Sequence, residues 1–406
     1  MRFLLLIFML YIIPIFTVFS QTEKEIIENI DLIIQDGDFD KANKAIDDGL
    51  KLLPESSELL RYKAGYYLSI QDSETALTYY KKALEKDINN LNVYKELGDL
   101  HFYLGNYDES IKYLDYAIAV NDKNSNYYYS RAMSHGSKGN FKKSVEDFDK
   151  CLEITPEFSA AYNNRGLVKA NSGDNIGAAA DYKLALKYDE GNLSAYQNLG
   201  NAYAAMGKPE DAITQYNKCI EIDPAYYLAY YNRANIKDDL GDKLGALEDY
   251  DFAILVNPDF PQAYYNRGIL NYSSGRFQEA LDDFSTLVNV ASDFPAAYYH
   301  RALVKHELDD KDGAIADCTR EIGLNNKNHQ AYYLRGYLTS ELGDNEGSIR
   351  DFNKVIELDP NSPQPYINRG IAYAETGNNQ SACDDFNKAL GLGLQEAQEL
   401  IEKVCK

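Results

Sequence analysis

A chain of 406 residues with 63 acidic against 41 basic side chains carries a formal charge of −22. Such a field repels phosphate backbones and anionic headgroups, so neither nucleic-acid binding nor docking on an acidic bilayer is expected, and a neutral or basic partner fits better. Apolar residues at 45% and charged residues at 26% suit a folded body and exclude wholesale disorder.

The chain opens with Arg2 and an apolar run from Phe3 to Phe19, interrupted by Pro14 and followed by Ser20 and Gln21. A short positive end, an apolar segment and compact residues at Val18 and Ser20 read as a secretory signal over 1–20, with cleavage expected after Ser20. A run of this length also sits at the lower edge of a membrane span, so an uncleaved N-terminal anchor is the competing reading. Either way the remainder is expected outside the cytoplasm: secreted, periplasmic or envelope-associated.

From Glu23 onward the chain repeats itself. Ala161-Tyr162-Asn163-Asn164-Arg165-Gly166, Ala229-Tyr230-Tyr231-Asn232-Arg233-Ala234 and Ala263-Tyr264-Tyr265-Asn266-Arg267-Gly268 recur at multiples of 34. Extended without insertion, that ruler covers 23–396 in eleven units, starting at 23, 57, 91, 125, 159, 193, 227, 261, 295, 329 and 363. Numbering each unit 1 to 34, position 8 is small from the second unit on (Ala64, Gly98 and so on to Gly370), and position 20 is small in every unit. The 35 tyrosines are not scattered: position 4 is tyrosine from Tyr94 to Tyr366, and position 24 is mostly aromatic (Tyr80, Phe148, Tyr182, Tyr216, Tyr250, Phe284, Phe352, Phe386). Spacings of four within each half predict helices. Gly at position 15 and Pro at position 32 (Pro54, Pro156, Pro224, Pro258, Pro360) supply the breaks between them.

Small residues at 8 and 20, aromatics at 4 and 24 and proline at 32 resemble the tetratricopeptide repeat signature over everything after the leader. The resemblance implies an all-α, right-handed α-solenoid superhelix of about eleven helix-turn-helix units, whose first helices line a concave surface. The array closes with Gly391 and Gly393 and a last amphipathic segment, over 397–406, expected to cap its exposed end.

Aligned units allow one sequence to be compared with itself. Position 7 is Arg131, Arg165, Arg233, Arg267, Arg301, Arg335 and Arg369; position 23 of the same seven units is Asp147, Asp181, Asp249, Asp283, Asp317, Asp351 and Asp385. The remaining units have neither, which predicts a structural ion pair inside each hairpin, with arginine chosen for its two-pronged grip on carboxylate.

Position 6 is expected to face the groove and is Asn164, Asn198, Asn232, Asn266 and Asn368. A row of amides can hydrogen-bond an extended peptide backbone, and this row resembles the asparagine ladder in the tetratricopeptide superhelix of the O-linked N-acetylglucosamine transferase; the alternative is a family-typical, solvated residue. Position 5 is Tyr129, Tyr231, Tyr265, Tyr299 and Tyr333, rings suited to contacting peptide or stacking on sugar, or to packing sideways between neighbouring helices. The clamp by which some family members hold chaperone C-termini does not fit, because Lys95 is followed by Asp99 and position 6 is never arginine.

Catalytic signatures fail. His101, His135, His300, His306 and His329 lack zinc-site spacing, and Asp309, Asp310 and Asp312 fall out of register for a calcium loop. Neither an enzyme nor a cofactor nor a metal is expected. Cys151, Cys219 and Cys318 fall in core columns, whereas Cys383 and Cys405 stand level across the final turn and could bridge in an oxidising compartment. The expected function is an exported protein-interaction scaffold that binds an extended polypeptide. An envelope glycan-binding module using the tyrosine row, or an architectural spacer, are the alternatives.

Overall fold

Each hairpin is set by its turn. At position 15 the backbone must enter the left-handed region to end the first helix, and nine glycines from Gly37 to Gly377 do so with φ between +68° and +90°. In six repeats the aspartate that follows caps the second helix: the carboxylates of Asp38, Asp72, Asp174, Asp242, Asp310 and Asp344 each accept the amide three residues on. In the computed structural model, which describes residues 22–405, these turns join helices in strict alternation. The expected signal over 1–20 lies outside the described residues.

First helices are α1 (22–35), α3 (Ser57–Ser69), α5 (Leu91–Tyr103), α7 (Ser125–Ser137), α9 (Ser159–Asn171), α11 (Leu193–Ala205), α13 (Tyr227–Asp239), α15 (Pro261–Ser273), α17 (Ala297–Glu307), α19 (His329–Glu341) and α21 (Gln364–Glu375). Second helices are α2 (Phe39–Leu52), α4 (Ser73–Lys86), α6 (Tyr107–Val120), α8 (Phe141–Ile154), α10 (Asn175–Tyr188), α12 (Pro209–Ile222), α14 (Lys243–Val256), α16 (Phe277–Val290), α18 (Lys311–Leu324), α20 (Asn345–Leu358) and α22 (Asn379–Gly391), closed by α23 (Ala397–Val404). Every second helix from Phe39 to Asn379 begins 34 residues after the one before it, so the period runs through the described chain without a slip. Among the described residues there is no strand, and no helix is long and apolar enough to cross a membrane.

The chain forms two compact units, one ending at Gly207 and the other beginning at Lys208. The first holds α1 to α11 and the second α12 to α23, so the division falls in the turn of the sixth repeat. Within each unit, helices pack on their hairpin partner and on the next hairpin in sequence. Where hairpin helices cross, the position 24 ring meets the small residue at position 8. A Cβ on Gly166 would lie 2.7 Å from the Tyr182 ring and one on Gly370 2.6 Å from Phe386, closer than real contacts allow. The rings opposite are the molecule's largest fully buried side chains, among them Tyr182, Tyr216, Phe284 and Phe352, and truncating one to alanine should cost roughly 3–5 kcal/mol.

Two repeats lack glycine at position 15. Gln71 and Asp309 take the left-handed conformation there, with φ of 63° and 62°; the turn's geometry outlasts the loss of the residue that favours it. In the ninth repeat α17 also starts two residues late, after Ala296 at φ 59°.

The described end of the chain is tied down covalently. Cys383 on α22 and Cys405 after α23 form a disulfide across a separation of 22 residues. The helix α23 packs Ala397 and Leu400 beside Leu390 and Tyr366. Cys151, Cys219 and Cys318 are buried. Burial pushes their thiols up, to about 11 for Cys151 and about 12 for the other two, which makes them inert.

Candidate functional site

The seven arginines at position 7 reach the aspartates at position 23 of their own hairpins through Nε and Nη2, at 2.5–3.2 Å in every case. The carboxylates are 2–6% exposed, deep enough for such pairs to fix geometry strongly. A second donor at position 11 joins several of them: Lys169 on Asp181, Lys237 on Asp249, Lys305 on Asp317 and the Asn271 amide on Asp283, at 2.8–2.9 Å. Each guanidinium also lies 5.4–5.8 Å from the ring of the position 4 tyrosine one turn before it, within cation–π range. Burial works against the charge of Arg131, Arg165 and Arg267, but the flanking carboxylates outweigh it and hold all three above the ordinary arginine range.

Sequence reasoning missed the third arm. Nη1 crosses to position 25 of the preceding hairpin: Arg131 to Asp115, Arg165 to Asp149, Arg233 to Asn217, Arg267 to Asp251, Arg335 to Thr319 and Arg369 to Asn353, at 2.5–3.0 Å. In the second repeat Lys63 makes the same crossing to Asp47 at 2.6 Å. The signal was available. Where the next position 7 is a leucine (Leu97, Leu199), position 25 is a lysine (Lys81, Lys183); where the next is a cation, it is an oxygen acceptor. One arginine therefore braces its own hairpin and clips it to the one before.

The expected groove residues also bond to each other. Asn164 donates its amide to the Tyr129 hydroxyl at 2.6 Å, Asn266 to Tyr231 at 3.1 Å and Asn368 to Tyr333 at 2.9 Å, while Asn198 donates to the Asn163 carbonyl at 3.1 Å. Each bond joins position 5 of one first helix to position 6 of the next. The same rung is Tyr265 with His300 at 2.9 Å, and Arg61 with Glu96 at 2.6 Å. Asn232 is half-buried like its counterparts. The tyrosine rings are packed sideways: Tyr129 lies 5.0 Å from Phe158, Tyr231 5.0 Å from Phe260, Tyr265 5.2 Å from Phe294, Tyr333 5.9 Å from Phe352, and Tyr299 5.3 Å from His300. Burial pushes the Tyr129, Tyr265, Tyr299 and Tyr333 hydroxyls up, so they stay neutral. These rings fill the hairpins' own packing, which leaves less open aromatic face for a sugar. The asparagine carbonyls of Asn164, Asn266 and Asn368, whose amide nitrogens are engaged, retain acceptor capacity.

Tetratricopeptide repeat models match residues 34–90, 95–157 and 231–293 in one case, 194–226 in a second and 363–392 in a third, and a model described as TPR repeat matches 336–377. A comparison with curated proteins finds no match. Among solved structures, the chain is similar to YrrB, described as a tetratricopeptide repeat protein with an unusual peptide-binding site, at 24% identity, TM-score 0.43, over 46% of this chain and 97% of that one. It is similar to a tetratricopeptide repeat protein of Parabacteroides merdae at 22% identity, TM-score 0.43, over 61% and 99%. It is also similar to yeast Tom70 at 16% identity, TM-score 0.41, over 94% of both chains. With repeat models placed on more than half of its length, the chain belongs to the tetratricopeptide repeat family.

Proposed function

We propose that the chain is an exported scaffold whose first-helix face takes an extended segment of a partner polypeptide. The observation that carries this reading is the rung system. Within each compact unit, bonds from position 5 to position 6 tie neighbouring first helices together, and the asparagine carbonyls left open beside them suit the backbone amides of a strand laid on that face. Export rests on the leader over 1–20 and on a disulfide at the end of the array, a bond that persists in oxidising compartments. The net charge of −22 favours a neutral or basic segment.

Two measurements test it. N-terminal sequencing of the exported protein should begin at Gln21; a cytosolic protein retaining Met1 refutes export. Partner capture from cross-linked envelopes should fall severalfold for the pair Asn232→Ala with Asn266→Ala and be unchanged for Leu244→Ala, an exposed residue on the second helix of the seventh repeat. Equal capture by all three proteins would count against the groove and leave the architectural spacer standing.

A further inference from the structure

The third repeat breaks the pattern of its neighbours at the face just described. Its position 6 is Glu96 and its position 9 is Asp99, while position 7 is Leu97, so the repeat lacks the arginine that seven others carry there. Between α3, α4 and α5 lies a pocket of about 550 Å³, within the range of ligand-binding clefts. Leu68, Leu100 and Tyr80 contribute its apolar lining, Glu96 and Asp99 its charges and Tyr103 an aromatic ring; no lysine or arginine lines it.

The two carboxylates are reachable, with side chains 29% and 40% exposed. Each already has one cation outside the pocket: Arg61 on Glu96 at 2.6 Å and Lys95 on Asp99 at 2.6 Å. Arg61 is shared with Glu58 at 2.8 Å, so two carboxylates draw on one guanidinium. Burial accordingly pushes the Glu96 carboxyl up even with Arg61 and Tyr80 beside it. Tyr103 is 82% exposed, the most exposed large hydrophobic side chain among the described residues. Asp99 also accepts the Ser130 hydroxyl at 2.7 Å, so of the two it is Glu96 that shares its cation. An open ring beside two carboxylates in a pocket lined by no base is the chemistry that recognises a guanidinium, flat enough to stack and forked enough to bridge.

We propose that this pocket seats an arginine side chain of the extended segment bound along the first-helix face. The inference rests on the peptide-binding reading above and adds the chemistry of one anchor. The commitment to a basic occupant comes from charge complementarity: two acidic groups and no basic one in the lining, on a chain of net charge −22.

The test is selection of a random dodecapeptide library by the full chain, reading position-by-position enrichment, followed by titration of the best arginine-bearing peptide and its citrulline counterpart. The expected result is arginine enriched at one position, and about tenfold weaker binding of the citrulline peptide. Both effects should vanish for Glu96→Gln with Asp99→Asn. Because those changes could disturb the Arg61 network, Tyr103→Ala is the second variant; it removes an exposed ring, should leave the melting curve unchanged and should weaken the arginine peptide severalfold. Peptides selected without basic enrichment, or an arginine preference that survives all these variants, would overturn the anchor while leaving the groove reading intact. Failure to select any peptide would overturn both.

Discussion

Replacing Arg267 by leucine removes four things at once: two prongs on Asp283 at 2.5–3.2 Å, the crossing to Asp251 at 2.5 Å and the contact with the Tyr264 ring at 5.8 Å. The largest loss is at Asp283. That carboxylate is 3% exposed and would keep only the Asn271 amide at 2.8 Å. A buried charge deprived of its partner costs about 3–5 kcal/mol, and the surviving amide bond places this case near 3. The Asp251 arm adds little, because its carboxylate is 64% exposed and screened. Converting the pair to the combination the sixth repeat carries, Leu199 with Gln215, removes the stranded charge, so Arg267→Leu with Asp283→Gln should cost only about 1 kcal/mol. The two variants should therefore differ by about 2 kcal/mol, or roughly 4–8 °C in melting midpoint for a body of this size. Circular dichroism melts give the midpoints, and amide exchange in α15 and α16 localises the effect, since repeat arrays can open piecemeal. Equal midpoints and equal exchange for single and double variants would refute the claim that the bond to a buried carboxylate, and not arginine's packing, carries the energy.

Glycine at Gln71 or Asp309 should stabilise by about 0.5–1 kcal/mol, the left-handed cost relieved less the glycine entropy incurred, and read as a raised unfolding midpoint; a lowered midpoint would mean the turn is unstrained. Opening the disulfide by Cys383→Ser with Cys405→Ser should lower the local stability of α22 and α23 by about 3 kcal/mol for a closed loop of 22 residues, speeding their amide exchange without touching the first unit. Burial holds the imidazoles of His135 and His300 below the ordinary histidine value of 6.5, which favours their neutral form in the folded chain. Their contribution is complete above pH 6.5 and is lost as pH falls below it, because the unfolded chain then takes up protons the folded one refuses. The variant His300→Asn, which restores the amide common at position 6, should flatten the fall of stability below pH 6.5; an unchanged slope in urea titrations at several pH values would remove His300 from that account.

How much of this was readable in the residues depended on the range of the interactions. The helical hairpins were, because each buries its apolar side only against adjacent hairpins, so that the requirements for a small residue at position 8 and a ring at position 24 recur within one period. The pairing of Arg267 with Asp283 was readable because both columns use one letter each. Its third arm was harder to see because Asp115, Asn217 and Thr319 share an oxygen acceptor and not a letter, so the signal lay only in Lys81 and Lys183, which stand there before Leu97 and Leu199. Positive φ at Gln71 and Asp309 was hidden for the opposite reason: the phase demanded the conformation, and the residue did not advertise it. The pocket beside Tyr103 lay beyond reach, since it depends on how far Tyr80, Leu100 and Glu96 extend into the space between three helices. In a repeat protein the residues that agree between units describe the scaffold's own bonding, and the departures carry what is particular to one place. Leu97 with Glu96 is such a departure, and it is where two carboxylates, open aromatic surface and a pocket with no basic lining residue coincide.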